Sequence, residues 1–455
     1  MTNLTFVLYG RIVSVGMALS LSSQSASRVD DLVTRACERA GLDDFGGDTW
    51  REGLQLLVST CESAPGVNPG GREFVYGQFV DALWNRLRVT DYVKRHPEVH
   101  EQRIERPLVV LGLPRTGTSL ASYLLDQDPL RRSLLTWEAE DSVPPSPPET
   151  LRTDPRCLRK KAELDVLAEG FKAADIPMVH WDEADGPTEC LFVQNQDFRA
   201  YLWEAYMPTP AYADWLSRAD MSSAYEYQRM VLQMLQSRAP GVWSLKMPSH
   251  AVHIETLLAT YPDVRIVWAH RDPFKSTASF LRLNYLSRAV LGAEVDVDLI
   301  VPNVLRQLKE HVVRPLAARR RIGDERFFDL HYADLMRDPI AVMRALYEWA
   351  GDPLTQATER AMLATLDLLG RRWALRLVWE LRRDAVSFSE LRGRLGISPS
   401  VLSARLEDLL EADVVERDAT RRYRLSGRGR ELARLLYELN RWAERAGVSS
   451  QRELA

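Results

Sequence analysis

The chain has 455 residues, 45% of them apolar and 27% charged, with a formal net charge of −4. That is the composition of an ordinary globular protein with room for two or three domains, and it excludes collagenous and disordered chains. The charge singles out no partner, and four scattered cysteines (Cys37, Cys61, Cys157, Cys190) without a CxxC pair point to reduced thiols in the cytoplasm rather than disulfides or zinc.

Residues 1–26 read as an N-terminal extension. Leu4–Leu21 is apolar but broken by Arg11, which predicts neither a membrane helix nor a secretory signal. Residues 27–106 read as a helical cap. Asp30–Ala40, Asp48–Ser63 and Tyr76–Tyr92 place apolar residues at three- and four-residue spacing, and Pro65, Pro69, Gly70 and Gly71 separate the last two.

The α/β core is expected over 107–361. Its most informative stretch is Leu108–Ser119, LVVLGLPRTGTS. An apolar β-branched run flows into a turn and then a helix start, so unpaired backbone N–H groups and the positive end of the helix dipole face one spot. Nucleotide triphosphatase loops end in Gly-Lys-Ser/Thr. Here Gly117 is followed by Thr118 and Ser119, and the cation sits earlier, at Arg115. The loop suits phosphate, but not in the ATPase arrangement. A proline-rich loop follows at Val143–Pro148. Lys246-Met247-Pro248 offers a cation for a transferring anionic group. A second strand, Val264–Ala269, runs into His270-Arg271-Asp272-Pro273 and a hydroxyl-rich helix with Ser276, Thr277 and Ser279. A third strand is predicted at Phe327–Leu330. Strands alternating with helices predict a P-loop-like parallel sheet with helices on both faces. Two anion sites at strand ends of one sheet suggest a ligand with phosphates at both ends.

The style changes near Leu366. Leu366–Ala455 holds 18 arginines, no lysine and 14 acidic residues, a surplus of four positive charges. It reads as a separate module over 366–455. A helix at Trp373–Leu381 precedes SFSELRGRL and a turn at Gly396. Ser398 caps a helix Pro399–Leu410, with proline in its first turn. That helix presents Ser400, Ser403 and Arg405. Two strands, Val414–Arg417 and Arg422–Leu425, form a short wing carrying Arg421 and Arg422. This is an α+β winged helix-turn-helix layout, whose second helix would enter the major groove of double-stranded DNA.

The first three zones resemble bacterial sulfotransferases that use 3'-phosphoadenosine 5'-phosphosulfate, roughly from Asp30 to Leu354. The matching motifs are GLPRTGTS, LKMP at Lys246, HRDPFKSTAS, RSLLTWEAEDSVPP at Arg132, HPEV before the first strand and LHYADLMRDP at Leu330. The resemblance implies the sulfotransferase fold. It implies that Pro114, Arg115, Thr116, Gly117, Thr118 and Ser119 hold the phosphosulfate, and that Arg271 and Ser279 hold the 3'-phosphate. The acceptor would be a small-molecule hydroxyl or amine. Sulfuryl transfer needs donors on the leaving phosphate and a base on the acceptor. Arg115 and Lys246 can supply donors, and no metal is required. Glu138 is the preferred base and His250 the second choice, placed four residues after Lys246 where both could share a helix. His180 and Glu189 flank DEADGPTEC and could line the acceptor pocket.

The C-terminal module resembles HxlR-type transcription regulators through LGRRW, FSELR, ISPSVLSARL and YRLSGRGREL. That resemblance implies a homodimeric DNA-binding domain with the terminal helix, Glu431–Trp442, in the dimer interface. Sulfotransferases of this kind continue into a basic segment over the 3'-phosphate, whereas here the pattern stops near Ala361. Two functions follow: a sulfotransferase carrying a DNA-binding module, or a regulator whose sulfotransferase-like domain senses nucleotide without turnover.

Overall fold

A computed structural model describes residues 26–64, 67–173, 182–290, 296–370, 374–395 and 399–445. The chain forms two compact units. One holds the chain up to Asp154 together with Pro187–Val342; the other holds Pro155–Gly186 and everything from Met343.

The first unit is built on a five-stranded sheet of order β2-β3-β1-β4-β5. Its strands are β1 (Leu108–Gly112), β2 (Arg131–Ser133), β3 (Val242–Lys246), β4 (Arg265–His270) and β5 (Phe327–His331), all parallel. The central strand β1 is buried along its whole length. Its continuous apolar run suits a strand covered on both faces. The sequence predicts three of the five strands. The other two carry the wrong signal: β2 reads RRS, and β3 ends in a lysine. Both take strand form because a parallel neighbour supplies their hydrogen bonds.

Helices 26–40, Thr49–Ser63 and Pro69–Arg95 form the cap. The third starts at Pro69, ahead of the expected Tyr76. Asn68 accepts from the Gly71 amide at 2.7 Å, and a proline in the first turn lacks only an N–H that would have been unpaired anyway. Phe79 meets Phe198 and Trp203 edge-to-face, and those two rings stack on each other. The buried Arg86–Asp197 pair at 3.0 Å ties the third helix to the 195–197 turn.

The second unit contains helices Ala374–Leu381, Phe388–Leu395 and Pro399–Glu411, an antiparallel pair β6 (Val415–Arg417) and β7 (Tyr423–Leu425), and a terminal helix Gly427–Arg445. Val386 pairs with Tyr423 to widen the wing. Leu377, Leu391, Leu402, Leu406, Leu409 and Val415 are buried in its core. The terminal helix starts before the expected Glu431. Ser426 Oγ accepts from the Gly429 amide at 3.1 Å, and a Cβ at Gly429 would come within 1.8 Å of the Val414 carbonyl. Only glycine permits that approach.

Residues 155–173 and 182–186 lie inside the predicted α/β core in sequence, yet they group with this unit. Asp165 of the helix Pro155–Ala173 pairs with Arg430, and Lys161 pairs with Asp413 at 3.2 Å. The buried Glu183 sits where a Cβ on Gly427 would touch it. Among the described residues no helix is long and apolar enough to cross a membrane. No group of three or more His, Cys, Asp or Glu among them could hold a metal.

Burial raises the Glu183 carboxyl from its usual 4.5 to about 7, a rise that Arg434, Arg430 and Lys161 oppose and Asp185 reinforces. The folded form therefore binds more protons than the unfolded one between those two values. Stability must fall as pH rises through that window and stay level above it. Glu183→Gln should remove about 3 kcal/mol of this dependence at most, so the variant gains on the wild type between pH 4.5 and about pH 7 in thermal unfolding of the full chain.

Candidate functional site

The site forms where β1, β3 and β4 end. At the close of β1 the backbone turns sharply: Gly112, Arg115 and Gly117 have φ of 137°, 68° and 92°. A Cβ on Gly112 would meet the Ala269 carbonyl at 2.5 Å, so glycine lets β1 and β4 converge. Thr116 is fully buried, and its hydroxyl donates to the Leu113 carbonyl at 2.7 Å, closing the loop on itself. Thr118 opens the helix Thr118–Leu125, whose first amides have no partner within the helix.

Arg115 points across the cleft, and its Nε donates to Ser279 Oγ at 3.1 Å. Arg271 Nη1 donates back to the Arg115 carbonyl at 2.9 Å. The two anion motifs of the sequence are thus hydrogen-bonded into one structure. Arg271 lies over the Tyr332 ring at 4.1 Å, and that ring also lies against Gly117. Tyr332 was visible only as part of LHYADLMRDP; its place under Arg271 comes from the β4–β5 register, which sets His270 beside His331. Asp329 braces the same strand ends, accepting from Arg319 at 2.7 and 2.9 Å and pairing with His270 at 2.7 Å. Partial burial works against its charge, but the Arg319 and His270 hydrogen bonds hold it below the usual aspartate range.

Lys246 ends β3 opposite Val110 of β1. It is 2% exposed, and its Nζ lies 3.1 Å from Glu189 Oε1. His250 does not share a helix with it, contrary to the sequence expectation. Lys246 is the last residue of a strand, and His250 belongs to a separate 3-10 turn, Pro248–Ala251. Proline at position 248 disfavours helical backbone at the residue before it, and Met247 is extended, with φ −164° and ψ 116°. His250 is fully buried, pairs with the Tyr225 hydroxyl at 2.7 Å and leaves Nε2 without a hydrogen bond. Burial drives its pKa down to about 3, so the ring is neutral. Glu138 is also fully buried, on the short helix Thr136–Glu140. Its Oε1 takes the Arg132 guanidinium, and its Oε2 has no hydrogen-bond partner. His180 lies outside the described residues.

In the winged-helix unit, Arg405 pairs with Asp408 one turn on. Ser403 lies 3.5 Å from Glu407. Arg421 takes a left-handed backbone conformation at the tip of the wing, with φ 61°. Arg422 is drawn back from the tip, pairing with Glu390 at 3.1 Å and donating to the Ala385 carbonyl at 3.0 Å. Ser398 and the side chain of Ser400 lie outside the described residues.

Comparison with known proteins places this geometry. A sulfotransferase family profile matches residues 107–356, and an HxlR-like helix-turn-helix profile matches 368–451. The solved sulfotransferase STF9 from Mycobacterium avium is 46% identical, with 84% of this chain and 96% of that one covered and a TM-score of 0.71. STF1 from Mycobacterium tuberculosis is 28% identical over 83% and 97% of the two chains, with a TM-score of 0.68. The omega-hydroxy-beta-dihydromenaquinone-9 sulfotransferase Stf3 of Mycobacterium bovis is 28% identical over 108 residues, which span only 28% of its length and 24% of this chain. At the other end, 85 residues are 35% identical to YvaP, an uncharacterized HTH-type transcriptional regulator of Bacillus subtilis, covering 79% of it and 17% of this chain. The chain belongs to the sulfotransferase family and carries an HxlR-like helix-turn-helix domain at its C-terminus.

Proposed function

We propose that the first unit transfers a sulfuryl group from 3'-phosphoadenosine 5'-phosphosulfate to a hydroxyl or amine of a small acceptor, and that the second binds double-stranded DNA as a homodimer. The observation that carries the first part is the Ser279–Arg115–Arg271 hydrogen-bond chain. It makes one continuous cradle of two anion motifs. The residues fit the nucleotide: glycines where side chains would block the backbone, two guanidinium groups, hydroxyls and a helix N-terminus. The loop Pro114–Ser119 would hold the phosphosulfate, with Arg271 and Ser279 on the 3'-phosphate. When bound, the donor supplies a sulfuryl group on a phosphate leaving group.

The protein's own part is electrostatic and positional. Arg115, Lys246 and the loop amides stabilise negative charge on the leaving oxygen, in a site where fixed donors need no reorganisation. A base must take the acceptor's proton. Glu138 and His250 each keep one unpartnered buried atom able to accept it, Oε2 and Nε2. Glu138 is the first choice, because the Arg132 guanidinium holds its carboxylate in place by one oxygen and leaves the other unpartnered, and His250 the second. A hydroxyl acceptor agrees with the omega-hydroxy group in the name of Stf3.

Arg115→Ala and Arg271→Ala should each weaken calorimetric binding of the desulfated nucleotide by about tenfold or more, since a hydrogen bond to a charged group contributes about 1.5–3 kcal/mol. Glu138→Gln should abolish sulfate transfer from labelled donor to a phenol, alcohol or amine panel while sparing nucleotide binding; undiminished transfer would remove Glu138 as the base. Nucleotide binding without transfer to any acceptor would leave the sensing function instead. Arg405→Ala should weaken duplex binding in a gel-shift titration by several-fold, and indifference would assign the winged helix to protein contacts.

A further inference from the structure

The pair Lys246–Glu189 is the least expected feature of the cleft. An ammonium that is 2% exposed needs a counter-charge, and Glu189 provides one at 3.1 Å. The backbone sets that meeting. Glu189 forms a parallel bridge with Lys246, the Cys190 amide donates to the Lys246 carbonyl at 3.0 Å, and the Thr188 amide donates to the Leu134 carbonyl at 2.8 Å. The 187–190 stretch therefore runs alongside the end of β3 and aims its carboxylate at the ammonium.

The two partners differ in one respect. The Glu189 side chain is 13% exposed, against 1% for Lys246. Glu189 has a route to water and Lys246 has none. Lys246 also stands opposite Val110, just before the loop that starts at Gly112. An anion held by that loop and the carboxylate of Glu189 would compete for the same ammonium. We propose, resting on the nucleotide reading above, that Glu189 is a positioning residue that occupies Lys246 until the anionic nucleotide takes its place. In the empty cleft it keeps the ammonium aimed. On binding, the nucleotide's phosphate becomes the counter-charge, and Glu189 turns toward solvent.

This arrangement makes binding compete with an internal ion pair, so the apparent affinity is lower than the intrinsic one. Removing the carboxylate should have opposite effects on the empty and the bound protein, which a purely structural ion pair would not produce. The test uses the full chain, with the desulfated nucleotide as probe. Glu189→Gln should lower the Tm of the nucleotide-free protein, tighten the calorimetric Kd for nucleotide by about tenfold, and enlarge the Tm rise on saturation beyond that of the wild type. Glu189→Asp, which shortens the reach but keeps the charge, should fall between the two on all three readouts. In sulfate transfer, KM for the donor should fall with Kd while kcat does not rise, the signature of uniform binding. Should Glu189→Gln fail to fold, the Asp variant alone decides: a Kd equal to or weaker than the wild type overturns the proposal. The same outcome in Glu189→Gln overturns it directly. A wild type that binds no nucleotide overturns the nucleotide reading itself, and the role of Glu189 falls with it.

Discussion

Everything at the candidate site depends on how closely β1 and β4 approach at their ends. Gly112 has no Cβ, and the Ala269 carbonyl fills the space one would need. Because the strands converge there, the turn after β1 and the turn after β4 share one cleft. Arg271 can then reach the Arg115 carbonyl, and Arg115 can reach Ser279. A side chain at position 112 would push the strands apart and separate the two anion motifs, although each would keep its own local structure.

A second constraint is electrostatic. Cations around the sheet are set against carboxylates; two are buried, on β2 and at the end of β3, and the third, Arg319, is partly exposed on the helix Val297–Ile322. Arg132 has Glu138, Lys246 has Glu189, and Arg319 has Asp329. Such pairs add little net stability, because taking both charges from water offsets most of their attraction. Their value here is positional. Each holds a charged group in one orientation near the candidate site. The winged-helix unit follows the same logic: Glu183, Asp165 and Asp413 face Arg430, Arg434 and Lys161 where residues 155–173 and 182–186 pack onto it.

The cradle itself was legible in the sequence, since its parts are local. A strand, a glycine-containing turn and a helix start are contiguous in Leu108–Leu125, and again around Arg271, so periodicity and turn chemistry expose both. The winged helix was legible for the same reason, down to the proline in the first turn of Pro399–Glu411. Strand β2 was not, because RRS lacks strand character of its own, and β3 was not, because its two strand-favouring residues, Val242 and Trp243, are followed at once by Ser244 and, two residues on, Lys246. The placement of His250 was also misjudged. Counting four residues from Lys246 assumes a helix, and a strand end followed by proline breaks that count.

The sequence by itself determined the two domain types and the two strand–turn–helix junctions, one carrying Arg115 and the other Arg271. Those depend on neighbours along the chain. Only the tertiary structure decided which distant side chains meet: Arg115 with Ser279, Arg271 with Tyr332, Lys246 with Glu189, and residues 155–173 and 182–186 with the winged helix rather than with the sheet that flanks them in sequence. The physical reason is that strand register and sheet order set these meetings. Both arise from backbone hydrogen bonds between segments more than fifty residues apart, such as β1 with β3 and β4, and such bonds leave no mark in local residue patterns.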